Sequence, residues 1–190
     1  MIAEMLQSGT LPALRFTPEL LLAAQDVRVA FFDVDGVLTD GTLFFGAQGD
    51  EIKAFSSLDG HGLKMLQHAG IEVAIISGRS SPALRLRAEN LGIRELHMGV
   101  EDKRGLMESL VRARGIGLAQ AGYMGDDVVD LPVLRACGFS ATVADGHDEV
   151  KARVDHVTRY GGGRGGVREV CELILRAQGK WQAAMAEYLA

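Results

Sequence analysis

Short apolar runs recur along the chain, and segments of helical periodicity separate them. The runs cover residues 27–32, 71–76, 121–124 and 139–143, and only Arg28 interrupts the first. Continuous apolar runs of this length are typical of strands that helices cover on both faces of a parallel sheet. After Gly62 and Leu106, apolar residues three or four positions apart predict helices, and each pattern ends near a glycine.

The alternation of strands and helices predicts the fold class. It indicates an α/β fold, with an open, mostly parallel, Rossmann-like sheet, helices on both faces and right-handed crossovers. Ligands bind such sheets at the carboxyl ends of the strands. Residues 1–26 are predicted to be an N-terminal extension, in which Thr17 and Pro18 indicate a capped helix start. Residues 159–190 are predicted to form a glycine-rich loop followed by a C-terminal helix or tail.

One segment, residues 41–55, breaks the alternation. Two short β runs, 42–45 and 51–55, flank the turn-rich residues 46–50 and predict a hairpin that projects from the sheet. The hairpin would expose Leu43, Phe44, Phe45, Ile52 and Phe55 unless something covers them. A two-stranded ribbon is marginally stable in water. The hairpin therefore either packs on its own domain or, as the more economical hypothesis, joins subunits of an oligomer.

Composition limits the class of protein. A chain of 190 residues with 47% hydrophobic residues fits a single domain, residues 1–190, and a net charge of −5 gives no general attraction to nucleic acid or anionic lipid. Cys137 and Cys171 lie far apart and show no disulfide or zinc-ligand spacing. Neither a membrane span nor a signal peptide is apparent. We expect a cytoplasmic protein without nucleic-acid or membrane partners.

Acidic residues follow two of the predicted strands. Asp33 and Asp35 come directly after the first strand, and Gly36 lets the backbone turn away from them. Two carboxylates this close repel each other unless a hard cation or a proton intervenes. Another strand is followed by Gly125 and then by Asp126, Asp127 and Asp130. Oxygen ligands of this kind suit Mg²⁺.

Two further features lie between these acidic clusters. Ser77, Gly78 and Arg79 end the second strand and offer a hydroxyl, a flexible amide and a guanidinium, which are typical phosphate contacts. Lys103 begins the following helix, where its ammonium could link a nucleophile to phosphoryl oxygens. Taken singly, each feature could be a helix cap or a solvated side chain. Their order along the chain instead indicates phosphoryl transfer.

The whole set resembles the four motifs of the haloacid dehalogenase superfamily of phosphatases. These are DxD, a Ser or Thr, a Lys, and GDxxxD, and the match runs from about residue 27 to residue 143. The resemblance implies that Asp33 is the nucleophile that forms an aspartyl-phosphate. Asp35 would be the general acid and base. Ser77 and Lys103 would bind the transferring phosphoryl group.

The same resemblance implies a magnesium site. Asp33, the backbone carbonyl of Asp35, and Asp126 would hold the ion. Asp130 would orient either Lys103 or a metal-bound water. Asp127 remains open, as a residue behind the metal ligands or as a helix cap. Only a hairpin follows the first motif, and residues 103–126 have room for one helix and one strand, so we expect no cap domain.

A narrower resemblance extends over residues 27–180, to the 3-deoxy-D-manno-octulosonate 8-phosphate phosphatase family. It rests on the stretches DVDGVLTDG, KAF, LDGHG, GDDVVDLPVL and YGGGRGGVREVCE. It implies a homotetrameric phosphomonoesterase of lipopolysaccharide precursor synthesis, whose substrate carries a phosphate and a carboxylate. The implied substrate-binding residues are Lys53, Asp59, Gly78, Arg79 and Arg164. Arg164 would reach its own active site or a neighbouring one.

Several alternatives stay open at this point. The substrate could be a nine-carbon sugar acid 9-phosphate. A receiver-like phospho-aspartate module also combines Asp, Ser or Thr, and Lys, but it lacks the second Asp of DxD. A catalytically silent subunit is a further alternative. Gly161, Gly163 and Gly166 formally match a dinucleotide fingerprint, yet no later strand completes the unit, so an anion-binding loop is favoured. His61 is expected to make a polar contact at a helix start.

Overall fold

The computed structural model describes residues 16–189, which form an α/β fold with a parallel central sheet. The strands are β1 Val29–Phe32, β2 Phe44–Phe45, β3 Glu51–Ile52, β4 Glu72–Ser77, β5 Glu95–Met98, β6 Ala121–Met124, β7 Phe139–Thr142 and β8 His156–Val157. The main sheet has the order β5-β4-β1-β6-β7-β8, and its neighbouring strands pair in parallel. The predicted fold class is confirmed, and residues 16–189 contain no cap domain.

Helices pack on both faces of this sheet. They are α1 Pro18–Ala24, α2 Ser57–His68, α3 Pro82–Leu91, α4 Lys103–Ala113, α5 Leu131–Leu134, α6 Asp148–Lys151, α7 Gly166–Ala177 and α8 Trp181–Leu189. Short 3₁₀ turns cover Leu118–Gln120 and Val128–Asp130. Adjacent residues of β1 point to opposite faces. Phe32 therefore joins the core beneath α1, α2, α3 and α7, and Phe31 joins the core beneath α4, α5 and α6.

Of the two strands at the sheet edges, β5 was not predicted as a strand, whereas β8 lies within a β-like stretch at residues 155–158. In β5 the polar residues Glu95 and His97 alternate with Leu96 and Met98, and all four are partly exposed. β8 is only two residues long. The apolar runs marked strands that are buried on both faces, whereas an edge strand needs no such run. The four predicted strands are present, with ends shifted by no more than two residues.

The hairpin is present but shorter than predicted, because only β2 and β3 pair. Phe44 lies opposite Ile52, and the amide of Gly46 donates to the carbonyl of Asp50 across the turn. Leu43, Phe44, Phe45 and Ile52 are exposed on the chain. Phe55 differs from the expectation, since it packs against the core of its own domain.

The N-terminal helix begins as expected. The Thr17 hydroxyl accepts a hydrogen bond from the Leu20 amide, and Pro18 takes the first helical position. Residues 1–15 of the predicted extension lie outside the described residues. Among residues 16–189, no helix is long and apolar enough to cross a membrane.

Candidate active site

The carboxyl ends of β4, β1 and β6 meet at one edge of the sheet and bring the predicted site residues together. β1 pairs with β4 on one side and with β6 on the other. The Asp33 amide donates to the carbonyl of Met124, which fixes the start of the loop after β1 against the end of β6. Ser77 ends β4, and its hydroxyl accepts from the Arg79 amide at 3.2 Å. Gly78 lies directly between them.

Gly36 permits the close approach of the two acidic loops. Its φ is +91°, and a Cβ at this position would lie 2.0 Å from Oδ2 of Asp126. A side chain would therefore collide with the Asp126 carboxylate and would also strain the backbone. The glycine after DxD sets the distance between the first and last motifs.

Lys103 occupies the first turn of α4, which Asp102 caps by accepting from the Gly105 amide. Its Nζ lies 3.0 Å from Oδ1 of Asp33 and 2.7 Å from Oδ1 of Asp130. Burial lowers the pKa of Lys103, but attraction from Asp33 and Asp130 outweighs this and raises it above its ordinary value. The ammonium is therefore held charged beside Asp33.

Asp130 is fully buried, and four donors contact its carboxylate, the most distant being the Asp127 amide at 3.5 Å. Its carboxylate accepts from Lys103 Nζ, from the Tyr123 hydroxyl at 3.1 Å and from the Asp126 amide at 3.2 Å. A buried carboxylate is stable only with such partners. Asp130 thus fixes both Lys103 and the backbone of Asp126.

Three carboxylates could hold a metal ion. Oxygen atoms of Asp33, Asp126 and Asp130 all lie within 4.8 Å of one another. Oδ1 of Asp126 is buried and has no hydrogen-bond partner among the described residues. Because Asp130 already accepts from four donors, Asp33 and Asp126 are the more available ligands. Hard carboxylate oxygens with an unsatisfied atom among them fit a divalent cation such as Mg²⁺.

The pKa values of Asp33 and Asp126 also agree with a divalent cation at this site. Burial, reinforced by Asp130, raises the pKa of Asp33 to about 6. Burial and the nearby Asp33 raise the pKa of Asp126 to about 7. Both carboxylates are thus destabilised as anions when no cation is bound. A bound cation would remove that cost by direct attraction.

A second cluster surrounds Asp35. Lys53 Nζ contacts Oδ1 of Asp35 and lies 3.2 Å from Oε1 of Glu51. Arg79 places Nη2 at 3.3 Å from the same Glu51 oxygen and Nε at 3.8 Å from Oδ2 of Asp35. Two acids and two cations therefore form a closed ring. The sequence predicts Asp35, Lys53 and Arg79 as site residues. Glu51 was not predicted.

One signal could have found Glu51. It stands two positions before Lys53 in the second hairpin run, and side chains two apart share one side of a strand. That spacing pairs an acid with a cation that was already a candidate for the site. The hairpin thus contributes to the site as well as to the exposed apolar surface.

Asp59, in the first turn of α2, contacts the start of α7. Its side chain is buried, and its carboxylate accepts from the Gly165 amide at 3.1 Å and from the Arg168 amide at 2.8 Å. Both carboxylate oxygens are thus used at the start of α7. Asp59 therefore fastens the glycine-rich loop to α2, and a role of this residue in binding substrate stays a prediction.

The glycine-rich loop packs directly against the DxD loop. A Cβ on Gly162 would lie 1.9 Å from the carbonyl oxygen of Gly36, and the Gly162 amide donates to Asp145. The Gly163 amide donates to the carbonyl of Val37. Arg164, at the end of this loop, is mostly exposed and lies 3.5 Å from Asp40. The loop therefore places Arg164 beside Asp40, at the far end of the loop that carries DxD.

Two residues that the sequence left open have local contacts. Asp127 caps the turn after β6, since its carboxylate accepts from the Val128 amide at 2.7 Å. His61 is exposed on α2, where its ring packs edge-on against the ring of Tyr188, with 5.5 Å between the ring centres. Neither side chain has a described contact with Asp33 or Asp126.

Comparison with known proteins agrees with this geometry. Residues 99–170 match the model of the haloacid dehalogenase-like hydrolases. The fold, with acids after β1 and β6 and a lysine between them, defines a hydrolase of this class. Within the class, the chain belongs to the 3-deoxy-D-manno-octulosonate 8-phosphate phosphatase family.

Two curated relatives support the assignment to this phosphatase family. The chain is 47% identical over 156 residues to the 3-deoxy-D-manno-octulosonate 8-phosphate phosphatase of Haemophilus influenzae, covering 82% of this chain and 87% of the relative. It is 41% identical over 169 residues to the enzyme of Escherichia coli K12, covering 89% and 90%.

Solved structures agree. The phosphatase of Moraxella catarrhalis, in complex with magnesium, phosphate and the sugar acid KDO, is 40% identical with a TM-score of 0.88, over 91% of this chain and 99% of that one. A probable phosphatase of Pseudomonas syringae reaches a TM-score of 0.90 at 45% identity, over 92% and 99%.

Proposed function

We propose that this chain hydrolyses 3-deoxy-D-manno-octulosonate 8-phosphate to the free sugar acid and phosphate, as a step in lipopolysaccharide precursor synthesis. The observation that carries the proposal is the placement of the Lys103 ammonium between Asp33 and Asp130, beside the unsatisfied Asp126. Family membership specifies the ester. The site supplies what phosphoryl transfer requires, which is positioning and charge neutralisation more than covalent chemistry.

In the first step, Asp33 attacks the phosphorus and forms an aspartyl-phosphate. The bond between phosphorus and the ester oxygen breaks, and Asp35 donates a proton to the leaving alkoxide. In the second step, a water attacks the phosphorus while Asp35 takes its proton. Phosphate leaves and Asp33 is restored. General acid and base catalysis of this kind contributes roughly 10²–10⁴-fold.

Three groups bind the reacting phosphate. Lys103 and the Ser77 hydroxyl contact phosphoryl oxygens, and Asp130 keeps Lys103 in position. Asp33, Asp126 and the backbone carbonyl of Asp35 would hold Mg²⁺. The ion supplies positive charge that lets an anionic nucleophile approach an anionic phosphate.

The cations around Asp35 can bind the part of the substrate that carries the carboxylate. Lys53 and Arg79 lie together on one side of the site, and Arg164 lies beside Asp40. We assign the substrate carboxylate to these cations, with Gly78 lining the approach beside Arg79. Carboxylates pair well with guanidinium groups because two N–H donors match two oxygens.

Assembly and location complete the proposal. We infer a homotetramer joined through the hairpin, because Phe44, Phe45 and Ile52 are exposed there. A site without a cap domain is more open to water unless a neighbouring subunit covers it. A cytoplasmic location is supported by Cys137 and Cys171, which are both free thiols.

The direct test is phosphate release measured with Mg²⁺ and with EDTA. The panel should contain 3-deoxy-D-manno-octulosonate 8-phosphate, a nine-carbon sugar acid 9-phosphate, neutral sugar phosphates and nucleotides. We expect Mg²⁺-dependent turnover with strong preference for the eight-carbon ester. If the enzyme instead prefers the nine-carbon ester, that compound is the substrate and the eight-carbon assignment is wrong. Substoichiometric release from every compound would instead support a receiver-like or silent module.

A further inference from the structure

The base of the hairpin supplies an acid to the active site that the mechanism above does not use. Glu51 lies in β3, opposite Phe45 of β2, and its side chain is 9% exposed. Oε1 of Glu51 contacts both Lys53, at 3.2 Å, and Arg79, at 3.3 Å. One carboxylate oxygen therefore joins two cations that come from different parts of the chain.

Without this acid, only Asp35 would link the two cations, and its contact with Arg79 is long. Lys53 and Arg79 carry like charges, and the Arg79 side chain is 46% exposed, so it has space to move into solvent. Lys53 is 1% exposed and also contacts Asp35. With Glu51 neutral, Lys53 would keep Asp35 as its partner, while Arg79 would keep only a long 3.8 Å contact to Asp35.

The guanidinium still has donors for a ligand in this arrangement. An arginine has five N–H donors, and the contacts to Glu51 and Asp35 use only the Nη2 and Nε sides of Arg79. The Arg79 guanidinium also lies 5.9 Å from the ring centre of Phe45 in the hairpin. The hairpin thus holds Arg79 by charge and by ring contact while part of it stays accessible.

We propose that Glu51 is a positioning residue for substrate selectivity. It holds Arg79 beside Lys53, so that the carboxylate of a sugar acid phosphate meets two cations that are already placed. This inference rests on the proposed function and adds to it a residue that acts through Arg79 without touching the phosphate. It also makes the hairpin part of substrate recognition in its own chain.

The test compares two esters in wild type and in Glu51→Gln, with steady-state phosphate release. One ester is 3-deoxy-D-manno-octulosonate 8-phosphate, and the other is p-nitrophenyl phosphate, which has no carboxylate. We expect KM for the sugar acid ester to rise about tenfold or more, since a charge-assisted contact is misplaced. KM for p-nitrophenyl phosphate should change by less than about twofold, because this ester has no carboxylate and loses no contact with Arg79. The loss of such a contact would change KM by far more than twofold.

The matched control is Glu72→Gln, which removes another glutamate–arginine pair. Glu72 binds Arg114 at 2.7 Å at the opposite, amino end of β4. It should change neither KM. Circular dichroism and thermal unfolding show whether each variant folds, and Glu51→Asp, which keeps the charge, should restore part of the lost affinity for the sugar acid ester.

A double-mutant cycle tests the route through Arg79. In an Arg79→Ala background, Glu51→Gln should raise KM for the sugar acid ester much less than it does in the wild type, because coupled residues are not additive. Equal changes with both esters, or full additivity with Arg79→Ala, would overturn the inference while leaving the proposed function intact. A wild type without preference for the sugar acid ester would overturn both.

Discussion

The acidic residues at the carboxyl ends of β1 and β6 are all aspartates, yet each has a different environment. Asp130 accepts from four donors, whereas Asp126 keeps a buried oxygen without a partner among the described residues. Asp33 lies between them, beside Lys103. These differences support the proposal that Asp130 positions Lys103, while Asp33 is the nucleophile and binds the metal ion together with Asp126.

Asp33→Asn tests the nucleophile. An amide cannot form the acyl-phosphate, so we expect turnover to fall by roughly 10⁴-fold or more. The fold should survive, since removing a buried charge with a raised pKa relieves a desolvation cost. Phosphate release and circular dichroism measure both effects. Asp148→Asn, at an exposed helix start, serves as the control. Retained turnover in Asp33→Asn would exclude the proposed nucleophile.

Stability of the metal-free protein should depend on pH through Asp126. Its pKa is about 7 in the folded state and 3.8 as the ordinary value. Between these values the folded state binds more protons than the unfolded state, so the contribution of Asp126 to stability falls as pH rises. In EDTA, wild type should therefore lose thermal stability relative to Asp126→Asn from about pH 4 to pH 7.

Added Mg²⁺ should reverse this loss at the upper end of the range, because the ion binds the deprotonated carboxylates. Thermal unfolding of both proteins, with EDTA and with Mg²⁺, measures the effect. A constant difference between wild type and Asp126→Asn at all pH values would contradict the raised pKa.

Two loops at the element scale depend on each other, although more than a hundred residues separate them. The glycine-rich loop before α7 lies on the DxD loop after β1, and Asp59 of α2 fixes it through two backbone amides. The backbones approach so closely that only residues without side chains fit. The position of the catalytic loop is therefore set partly from the C-terminal part of the chain.

Gly162→Ala should disturb both loops. The new methyl group would overlap the carbonyl of Gly36, so the glycine loop or the DxD loop must shift. We expect a loss of about 1–3 kcal/mol in the free energy of unfolding and a lower kcat. Gly117→Ala is the matched control, because a Cβ there meets open space. Unchanged kcat and stability in Gly162→Ala would show that the loops are not tightly coupled.

For the whole molecule, the proposed assembly would account for both the exposed face of the hairpin and the open active site. Phe44, Phe45 and Ile52 expose more than half of their surface on the chain. Contiguous apolar surface of this kind often marks an interface. The same hairpin carries Glu51 and Lys53 into the site. Shortening it would therefore remove both functions together, and point substitutions are the better test.

Phe44→Ser combined with Ile52→Ser removes two facing apolar side chains and leaves Glu51 in place. If the hairpin joins subunits, light scattering should give a smaller molecular mass than for wild type. Leu22→Ser, at an exposed apolar position on α1, is the control and should leave the mass unchanged. A double variant with the mass of wild type would exclude the hairpin interface.

The sequence by itself determined the fold class, the buried strands and the four motifs. Apolar runs mark strands that are covered on both faces, and chemistry at strand ends follows from the parallel topology. The residues Asp33, Ser77, Lys103 and Asp126 could therefore be placed at one edge of the sheet. The edge strand β5 was missed, because a half-exposed strand needs no apolar run.

Only the tertiary structure decided how residues distant in sequence meet. Asp59 stands in a stretch typical of the family, yet its carboxylate binds amides that lie more than a hundred residues further along. Glu51 gains its role from Arg79, which another loop supplies. Local patterns report propensity and burial, whereas a side chain's partners depend on the packing of separate elements. For that reason local patterns could not predict which partners Asp59 and Glu51 have.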